Sequence, residues 1–338
     1  MRMRERLKSG LVIPAHPLAL TANRKFDERR QRTLTRYYLE AGAGGLAVGV
    51  HTTQFAIREH GLLETALQTA NGERRTANGE VVMIAGVVGP TKQAVAEAEL
   101  AAGIGYDVAL VSLGALASAT DAELIAHCRA IAEVMPLFGF YLQPAVGGRV
   151  LSYEFWRAFA ELERVWAVKI APFNRYHTFD VVRAIGDAGR DDIALYTGND
   201  DNIVADLVTP FPTAAGTRYI DGGLLGQWAV GTRAAVEMLA RCKRARAEGI
   251  STELLRAGAE LTDFNAAMFD VAHGFAGCIP GIHEVLRRAG LLAGTWCLDE
   301  RETLSPGQSA ELDRVTREHA WVTDYEFIKA NSDRWVNT

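Results

Sequence analysis

The sequence predicts an α/β protein, a (β/α)8 TIM barrel with a C-terminal helical extension. Eight short runs of aliphatic and β-branched residues alternate with longer amphipathic runs over about the first 245 residues. Successive short runs begin about 25 to 37 residues apart, which is typical of repeated βα units. The short runs are apolar on both faces, as expected for parallel strands that are covered by helices. Eight such units in one chain favour a closed barrel.

The predicted strands follow one another at regular intervals. In chain order they are LVIPA (11–15), GLAVGV (45–50), VMIAGVV (82–88), DVALVS (107–112), FGFYLQ (138–143), WAVKIA (166–171), IALYTG (193–198) and RYIDGG (218–223). Several of the intervening helices begin at a Thr or Asp cap and end at glycine. After residue 245 the amphipathic pattern continues without strands. We therefore predict a catalytic barrel over 1–245 and a helical appendage over 246–338.

A doubly wound sheet is the competing architecture, and its glycine fingerprint is not found in the required context. That fingerprint follows a strand and opens a helix. Here the Gly103-Ile104-Gly105 segment and the 41–45 segment end helices and precede strands. These glycines are better interpreted as helix C-caps.

Composition excludes several classes of function. The chain has 338 residues and a formal net charge of −5, which gives no electrostatic basis for binding nucleic acid or an anionic membrane. The basic start has no cleavage pattern after it, and no apolar run approaches the roughly 18 residues of a membrane helix. We expect a cytoplasmic protein. The four cysteines (Cys128, Cys242, Cys278 and Cys297) lie far apart and predict reduced thiols rather than a zinc site or a disulfide framework.

A lysine in the middle of the sixth predicted strand requires an explanation. Lys169 stands among apolar residues, where desolvation disfavours its charged form. One explanation is a structural ion pair with Asp200 or Asp201. The other is a lysine kept partly neutral so that it attacks a carbonyl carbon.

Alternation along the strands predicts what surrounds this lysine. Ala167 and Ala171 share its face, and their small side chains would leave it room inside the barrel. On the fifth strand, the same counting places Tyr141 and Gln143 on one face. We therefore expect Tyr141 and Lys169 to point into the same interior from neighbouring strands.

Other polar residues collect at the carboxyl ends of the strands, where barrels of this type carry their active sites. They form the segments HTT (51–53), TGNDD (197–201) and GG (222–223). A lysine, a tyrosine, threonine hydroxyls and backbone amides would suit a 2-oxo acid. The lysine would condense with the ketone, the tyrosine would move protons, and hydroxyls with N–H groups would hold the carboxylate.

These motifs resemble the dihydrodipicolinate synthase and N-acetylneuraminate lyase family of class I aldolases, over roughly residues 10–235. IPAHPLAL resembles the opening strand of the family, with His16 where Thr is usual. VGVHTTQF resembles the G-[ST]-T-G-E segment, and TGNDD resembles the G-D-D turn. FYLQP resembles the strand of the catalytic tyrosine, and AVKIAPF resembles the G-[IV]-K-[ED] lysine strand.

The resemblance implies a role for each matching residue. Lys169 would form the Schiff base, Tyr141 would be the general acid/base, and Thr52 would supply a hydroxyl to the proton relay. Thr53 would bind the carboxylate of the 2-oxo acid. We expect Gly198, Asn199 and Gln143 to complete the substrate-binding set. The resemblance further implies a homo-oligomer, a dimer or a tetramer, that needs no metal and no cofactor and whose partner is a small 2-oxo acid.

The chain also departs from the family pattern. Ala115-Leu116 replaces the Tyr-Tyr pair of the proton relay, and Gln54-Phe55 replaces Gly-Glu. The arginine that binds the carboxylate of the aldehyde aligns with Val146, although Arg149 is close in sequence. The second-substrate pocket is therefore expected to be more apolar, which argues against a role in lysine biosynthesis.

The primary hypothesis is a Schiff-base lyase that acts on pyruvate or another 2-oxo acid. A 2-keto-3-deoxy sugar acid dehydratase would use the same lysine imine and is the first alternative. A metal-dependent barrel enzyme using His16, His51 and Asp200 or Asp201 is the second, although the first strand lacks the His-x-His spacing of metal-dependent hydrolases. A catalytically inactive binding protein is the third, since the relay tyrosine is missing.

Overall fold

The computed structural model describes residues 3–75 and 80–337. It contains one eight-stranded sheet and one two-stranded hairpin. The strands are β1 (Val12–Pro14), β2 (Gly45–Val48), β3 (Val82–Val87), β4 (Val108–Val111), β5 (Leu137–Leu142), β6 (Val165–Ala171), β7 (Ala194–Thr197), β8 (Phe211–Thr213), β9 (Gly216–Arg218) and β10 (Gly222–Leu225).

The helices alternate with these strands and then continue alone to the end of the described chain. They are α1 (Met3–Lys8), α2 (Glu28–Glu40), α3 (Leu63–Arg74), α4 (Thr91–Ile104), α5 (Asp121–Ala132), α6 (Tyr153–Ala160), α7 (Arg175–Asp187), α8 (Ile203–Val208), α9 (Thr232–Glu248), α10 (Thr252–Met268), α11 (Cys278–Arg288), α12 (Gln308–Glu318) and α13 (Tyr325–Asn337).

The strand order confirms the predicted (β/α)8 TIM barrel. The sheet runs β1-β10-β7-β6-β5-β4-β3-β2, and a parallel bridge between Ala15 and Ala47 joins the ends of this series. The last four helices confirm the predicted C-terminal helical extension.

The eighth barrel strand lies later in the chain than predicted. It is β10, at Gly222–Leu225, whereas the predicted strand covered 218–223. Residues 216–218 pair instead with 211–213 in an antiparallel hairpin. The two glycines, which were expected in a turn, lie within the strand, and Gly222 lies close to the backbone of Leu11. A Cβ at Gly222 would stand 2.4 Å from the carbonyl oxygen of Leu11.

The chain divides into two compact units. The first contains the described residues of Met1–Leu11 and Val82–Leu224. In it, β3 to β7 pair in parallel in chain order, and β3, β4 and β5 are buried along their whole length. Tyr196 of β7 donates a hydrogen bond from its hydroxyl to the carbonyl oxygen of Leu7 at 2.6 Å, which attaches α1 to this unit.

The second unit contains the described residues of Val12–Val81 and Leu225–Thr338. Buried Asp324 organises it, because its carboxylate accepts hydrogen bonds from the Tyr37 hydroxyl and from the backbone N–H groups of Arg233 and Ala234, at 2.7 to 3.1 Å. The extension therefore caps α9, which itself ends at Glu248, three residues beyond the predicted barrel boundary. The division at residue 245 stays a prediction. Within the described residues, no helix has both the length and the apolarity to cross a membrane.

Candidate active site

Lys169 lies in the middle of β6 and is buried, with 8% of its surface exposed. Its Cα pairs with Phe140 on β5 and with Tyr196 on β7. The ammonium nitrogen stands 4.4 Å from the centre of the Phe140 ring. Burial lowers the pKa of Lys169 to about 8, although the carboxylate of Asp200 acts in the opposite direction.

This lysine has no direct ionic partner. Among residues 3–75 and 80–337, none forms a hydrogen bond or an ion pair with the Lys169 ammonium group. Asp200 acts on it through space. The structural ion pair that was one explanation for a buried lysine is therefore not formed, and burial increases the neutral fraction of the amine.

Gly198 leaves the space that the lysine side chain occupies. A Cβ at this position would stand 2.6 Å from Cε of Lys169 and 2.8 Å from Cβ of Ala171. Distances below 3.0 Å are not observed for real Cβ atoms, so a larger residue would have to displace the lysine. The structure therefore places Gly198 directly against the lysine stem.

Asn199 does not have the free side chain that substrate binding would need. Its Oδ1 accepts a hydrogen bond from the backbone N–H of Phe173 at 3.0 Å. Its Nδ2 donates to Thr178 Oγ1 at 3.0 Å and to Asp206 Oδ2 at 2.9 Å. The assignment of Asn199 to substrate binding stays a prediction, and the side chain is engaged in internal bonds.

The hydrogen bonds of Asn199 connect the segment that follows β6 with the segment that follows β7. Phe173 has a positive φ of 52°, a conformation that is costly for a residue with a Cβ. The hydrogen bond from its N–H to Asn199 holds that turn. Fully buried Asp206 completes the group, because it also accepts from Thr197 Oγ1 at 2.6 Å and pairs with Arg175. Burial raises the pKa of Asp206.

Tyr141 lies on the opposite face of the sheet from Lys169. In a parallel pair, residues at the same level share a face. Phe140 is level with Lys169, whereas Tyr141 is level with Ile170. The Tyr141 ring centre lies 5.7 Å from that of Trp156 on α6 and 5.7 Å from that of His177 on α7.

The hydroxyl of Tyr141 also has a partner on that side, because it accepts a hydrogen bond from the backbone N–H of Leu151 at 3.2 Å. Burial raises its pKa. The expectation that Tyr141 and Lys169 point into the same interior is therefore wrong. Counting along each strand separately does not give the register between strands, which here shifts between Leu137 and Phe138.

Gln143 follows β5 and opens the turn after it. Its carbonyl oxygen accepts a hydrogen bond from the backbone N–H of Gly148 at 3.0 Å, and the residue is buried. The proposed contact of its side chain with a substrate stays a prediction.

Thr52 and Thr53 belong to the second unit, in the turn after β2. The Thr53 hydroxyl donates to the carbonyl oxygen of His16 at 2.7 Å and accepts from the backbone N–H of Gly49 at 3.0 Å. This hydroxyl is therefore used to close the turn. The Thr52 hydroxyl is 3.4 Å from the same carbonyl oxygen, which is a long and weak contact.

Gln54 ends this turn with a positive φ of 68°. That conformation favours glycine and is unusual for a residue with a side chain. Its Oε1 accepts a hydrogen bond from the backbone N–H of Leu298 at 2.6 Å. The C-terminal extension thus holds the conformation of the threonine turn within this unit.

His16 is a core residue and is not available as a metal ligand. Its Nδ1 lies 2.8 Å from the carbonyl oxygen of Pro17, and its Nε2 lies 2.9 Å from Thr35 Oγ1. Burial lowers its pKa to about 4.

The ligand set of the metal hypothesis is not assembled either. In the described residues, the one group of three candidate ligands is Asp263, Glu318 and His319. Arg314 pairs with Asp263 and Glu318 at 2.8 and 2.9 Å, which makes this an ion-pair network.

Sequence reasoning missed two features of the lysine environment. Phe140, one residue before the predicted tyrosine, is the aromatic ring beside the amine. Asp206, nine residues after Thr197, is the buried anchor of the turn that carries Gly198. To identify Phe140 in advance, one would have needed the register between β5 and β6. Asp206 had a weak signal in the sequence, because it is an acidic residue on the apolar helix α8 (Ile203–Val208).

Comparison with known proteins agrees with this fold. The sequence model of the Dihydrodipicolinate synthetase family matches residues 8–211, which is more than half of the chain. A search of curated protein sequences gave no significant match.

Several solved structures are similar in fold. Dihydrodipicolinate synthase from Oceanobacillus iheyensis is 18% identical, with a TM-score of 0.74 over 93% of this chain and 98% of that one. CdNal from Clostridium difficile, solved in complex with mannosamine, is 17% identical, with a TM-score of 0.75 over 92% and 99%. YagE, an E. coli K12 prophage protein of the dihydrodipicolinic acid synthase family solved in complex with pyruvate, is 16% identical, with a TM-score of 0.74 over 90% and 97%.

Proposed function

The chain belongs to the dihydrodipicolinate synthetase family, whose members are class I aldolase-type lyases, and we propose that it is a Schiff-base-forming lyase that acts on a 2-oxo acid through Lys169. The observation that carries the proposal is the buried amine without an ionic partner. With a pKa of about 8, roughly one lysine in ten is neutral at pH 7, on the order of a few hundred times more than at the usual lysine pKa. A neutral amine is the nucleophile that imine formation requires.

The proposed reaction begins when Lys169 Nζ attacks the C2 carbonyl carbon of the 2-oxo acid. The carbinolamine loses water and becomes an imine. In a 4-hydroxy-2-oxo acid, a base then removes the proton of the C4 hydroxyl, the C3–C4 bond breaks, and its electron pair moves toward the iminium nitrogen. An aldehyde leaves and an enamine remains. Protonation of the enamine at C3 and hydrolysis of the imine release pyruvate and restore the amine.

We assign the proton transfers to Asp200 rather than to Tyr141. The Asp200 carboxylate is the charged group whose field acts on Lys169. Asp200 follows Gly198, which lies against the lysine stem, by two residues. Tyr141 faces α6 and α7, and its hydroxyl is bonded to Leu151. The roles that the resemblance implies for Thr52 and Thr53 stay predictions. The backbone N–H of Thr53 donates to the carbonyl oxygen of Val50 at 3.0 Å, so both polar groups of Thr53 that could hold a carboxylate are bonded within the turn.

Dehydration of a 2-keto-3-deoxy sugar acid is the weaker candidate. It uses the same imine, but such a substrate carries several hydroxyl groups that need hydrogen-bond partners. Phe140, Leu142 and Ala171 on the lysine face of the first unit offer no side-chain donor or acceptor. Aldol cleavage or its reverse therefore has the better support.

The test is mass spectrometry of the intact protein after incubation with pyruvate and sodium borohydride. We expect one reduced adduct in the wild type and none in Lys169→Ala. Lys92→Ala, which changes an exposed lysine of α4, is the matched control and should keep the adduct. Circular dichroism should show that both variants are folded. A folded Lys169→Ala variant that still gains the adduct, or that retains turnover, would contradict the proposal.

We further expect a homo-oligomer, a dimer or a tetramer, as the family resemblance implies. Light scattering coupled to size-exclusion chromatography measures the mass directly.

A further inference from the structure

The face of the first unit that carries Lys169 is apolar on both neighbouring strands. Alternation and register place Phe138, Phe140 and Leu142 of β5 on this face, level with Ala167, Lys169 and Ala171 of β6. The Phe138 ring centre lies 5.2 Å from that of Tyr196, whose hydroxyl is bonded to Leu7. Apart from the amine itself, these strands offer a substrate near Lys169 aromatic and aliphatic surface.

The apolar character continues into the turns that follow β4 and β5. Leu113 is buried, and Leu116 and Val146 are partly buried. The two turns are in close contact, since a Cβ at Gly114 would stand 2.1 Å from the carbonyl oxygen of Gly147. Their backbones therefore support one another at the carboxyl end of these strands.

One cationic side chain stands in these turns, and one of its donors is bonded to the neighbouring turn. Over 112–119 and 143–151, Arg149 is the one lysine or arginine in the sequence. Its Nη1 donates a hydrogen bond to the carbonyl oxygen of Leu116, which bonds the turn after β5 to the turn after β4. An anionic group entering here would meet mainly apolar side chains. The polar exceptions include Ser112, Gln143 and Arg149, and one donor of Arg149 is bonded to Leu116.

We propose that the substrate is a 4-hydroxy-2-oxo acid whose C4 substituent is apolar, so that cleavage releases pyruvate and an aliphatic or aromatic aldehyde. This inference rests on the proposed function. The carboxylate and the C2 carbonyl are common to all candidate substrates, and the group beyond C4 distinguishes them. A carboxylate or a row of hydroxyls would lose its water and gain few partners on this face, whereas an apolar group gains by burial.

The test compares two substrates that differ in that group alone. We would measure kcat/KM of the 338-residue protein for 4-hydroxy-2-oxo-4-phenylbutanoate and for 4-hydroxy-2-oxopentanedioate, following pyruvate release with lactate dehydrogenase. We expect the phenyl substrate to be favoured at least about tenfold. Equal values or a preference for the dicarboxylate would overturn the inference.

Borohydride trapping with pyruvate separates this result from a failure of the proposed function. Absence of the adduct would contradict the lysine chemistry itself. An adduct with pyruvate, combined with preference for the dicarboxylate, would leave the chemistry standing and overturn only the apolar substrate class.

Two variants test which residues set the preference. Leu142→Asn keeps the size of the side chain and adds polarity on the lysine face, so the phenyl-to-dicarboxylate ratio should fall at least fivefold while the pyruvate adduct is kept. Leu255→Asn, at a position of α10 that is 52% exposed, is the matched control and should leave the ratio unchanged. An unchanged ratio in folded Leu142→Asn would contradict the assignment.

Val146→Arg is a second test variant, for use if Leu142→Asn does not fold. Val146 is only partly buried and lies in the short turn Pro144–Val146, outside the strand. A new guanidinium there should shift the preference toward the dicarboxylate. No shift in this folded variant would place the group beyond C4 elsewhere and would overturn the inference.

Discussion

Lys169 and Phe140 are paired across β6 and β5, and the lysine nitrogen stands 4.4 Å from the centre of the phenylalanine ring. A tyrosine one residue later in β5 faces the other way. The proposed lysine chemistry therefore takes place beside the Phe140 ring and not beside the phenol of Tyr141, while the hydroxyl of Tyr196 on β7 is bonded to Leu7. The following predictions depend on that arrangement.

The rate of imine formation should rise with pH around a midpoint near 8, because only the neutral amine attacks. The Asp200 carboxylate favours the ammonium form, so Asp200→Asn should lower this midpoint. It should also slow aldol cleavage by about tenfold or more if Asp200 moves protons. Borohydride trapping and turnover, each measured from pH 6 to 10, separate the two effects. A midpoint that does not move would contradict the electrostatic role of Asp200.

Tyr141→Phe should leave both imine trapping and turnover within about threefold of the wild type, because the hydroxyl does not face the lysine. Loss of its hydrogen bond with the Leu151 N–H should cost about 1 kcal/mol of unfolding free energy. Urea denaturation and steady-state kinetics measure these quantities. A loss of turnover of a hundredfold or more would restore the tyrosine as the general acid/base.

Gly198→Ala should reduce borohydride trapping by at least about tenfold, since its Cβ would stand 2.6 Å from Cε of Lys169. Gly103→Ala is the matched control, because a Cβ there meets nothing within 4 Å and the residue lies within α4. This control should stabilise the protein by about 0.5 to 1 kcal/mol and keep full trapping. Equal trapping in both variants would show that the lysine stem is not confined by this glycine.

Lys169→Met should be more stable than the wild type at pH 7, by an amount on the order of 1 to 3 kcal/mol. The folded pKa, about 8, is below the usual lysine value of 10.5. The unfolded state therefore binds more protons between these pH values, and the destabilisation is complete below pH 8 and disappears as the pH rises toward 10.5. Denaturation of both proteins at pH 7 and pH 10 should show the difference shrinking at the higher pH. A constant difference would mean that the charge of Lys169 is not its source.

Features that repeat along the chain could be predicted from the sequence. The spacing of βα units predicted the barrel, and the isolated charge of Lys169 in an apolar strand identified the residue that the structure leaves without an ionic partner. Features that depend on the register between strands could not be predicted from the sequence. The face of Tyr141 depends on a register shift at Leu137 and Phe138, which no pattern within β5 reveals.

Hydrogen-bond partners that are distant in sequence were also beyond prediction. Asn199 follows a strand end, as binding residues often do, but its side chain is occupied by groups 7 to 26 residues away. The predicted position of the eighth strand was wrong for a similar reason. Gly222 is needed because the backbone of Leu11, which is distant in sequence, lies close to it.

Two sets of hydrogen bonds tie the C-terminal extension to earlier parts of the chain. The Leu298 N–H donates to Gln54, and the Asp324 carboxylate accepts from Tyr37 and from the start of α9. Removal of residues 246–338 would remove the groups that hold the threonine turn and the start of the helix α9. A catalytic segment ending at residue 245 is therefore expected to be insoluble or unfolded when produced alone. We therefore expect the barrel and the extension to evolve together. A chimaera that takes its barrel from this chain and its extension from a relative should fold less well than either parent.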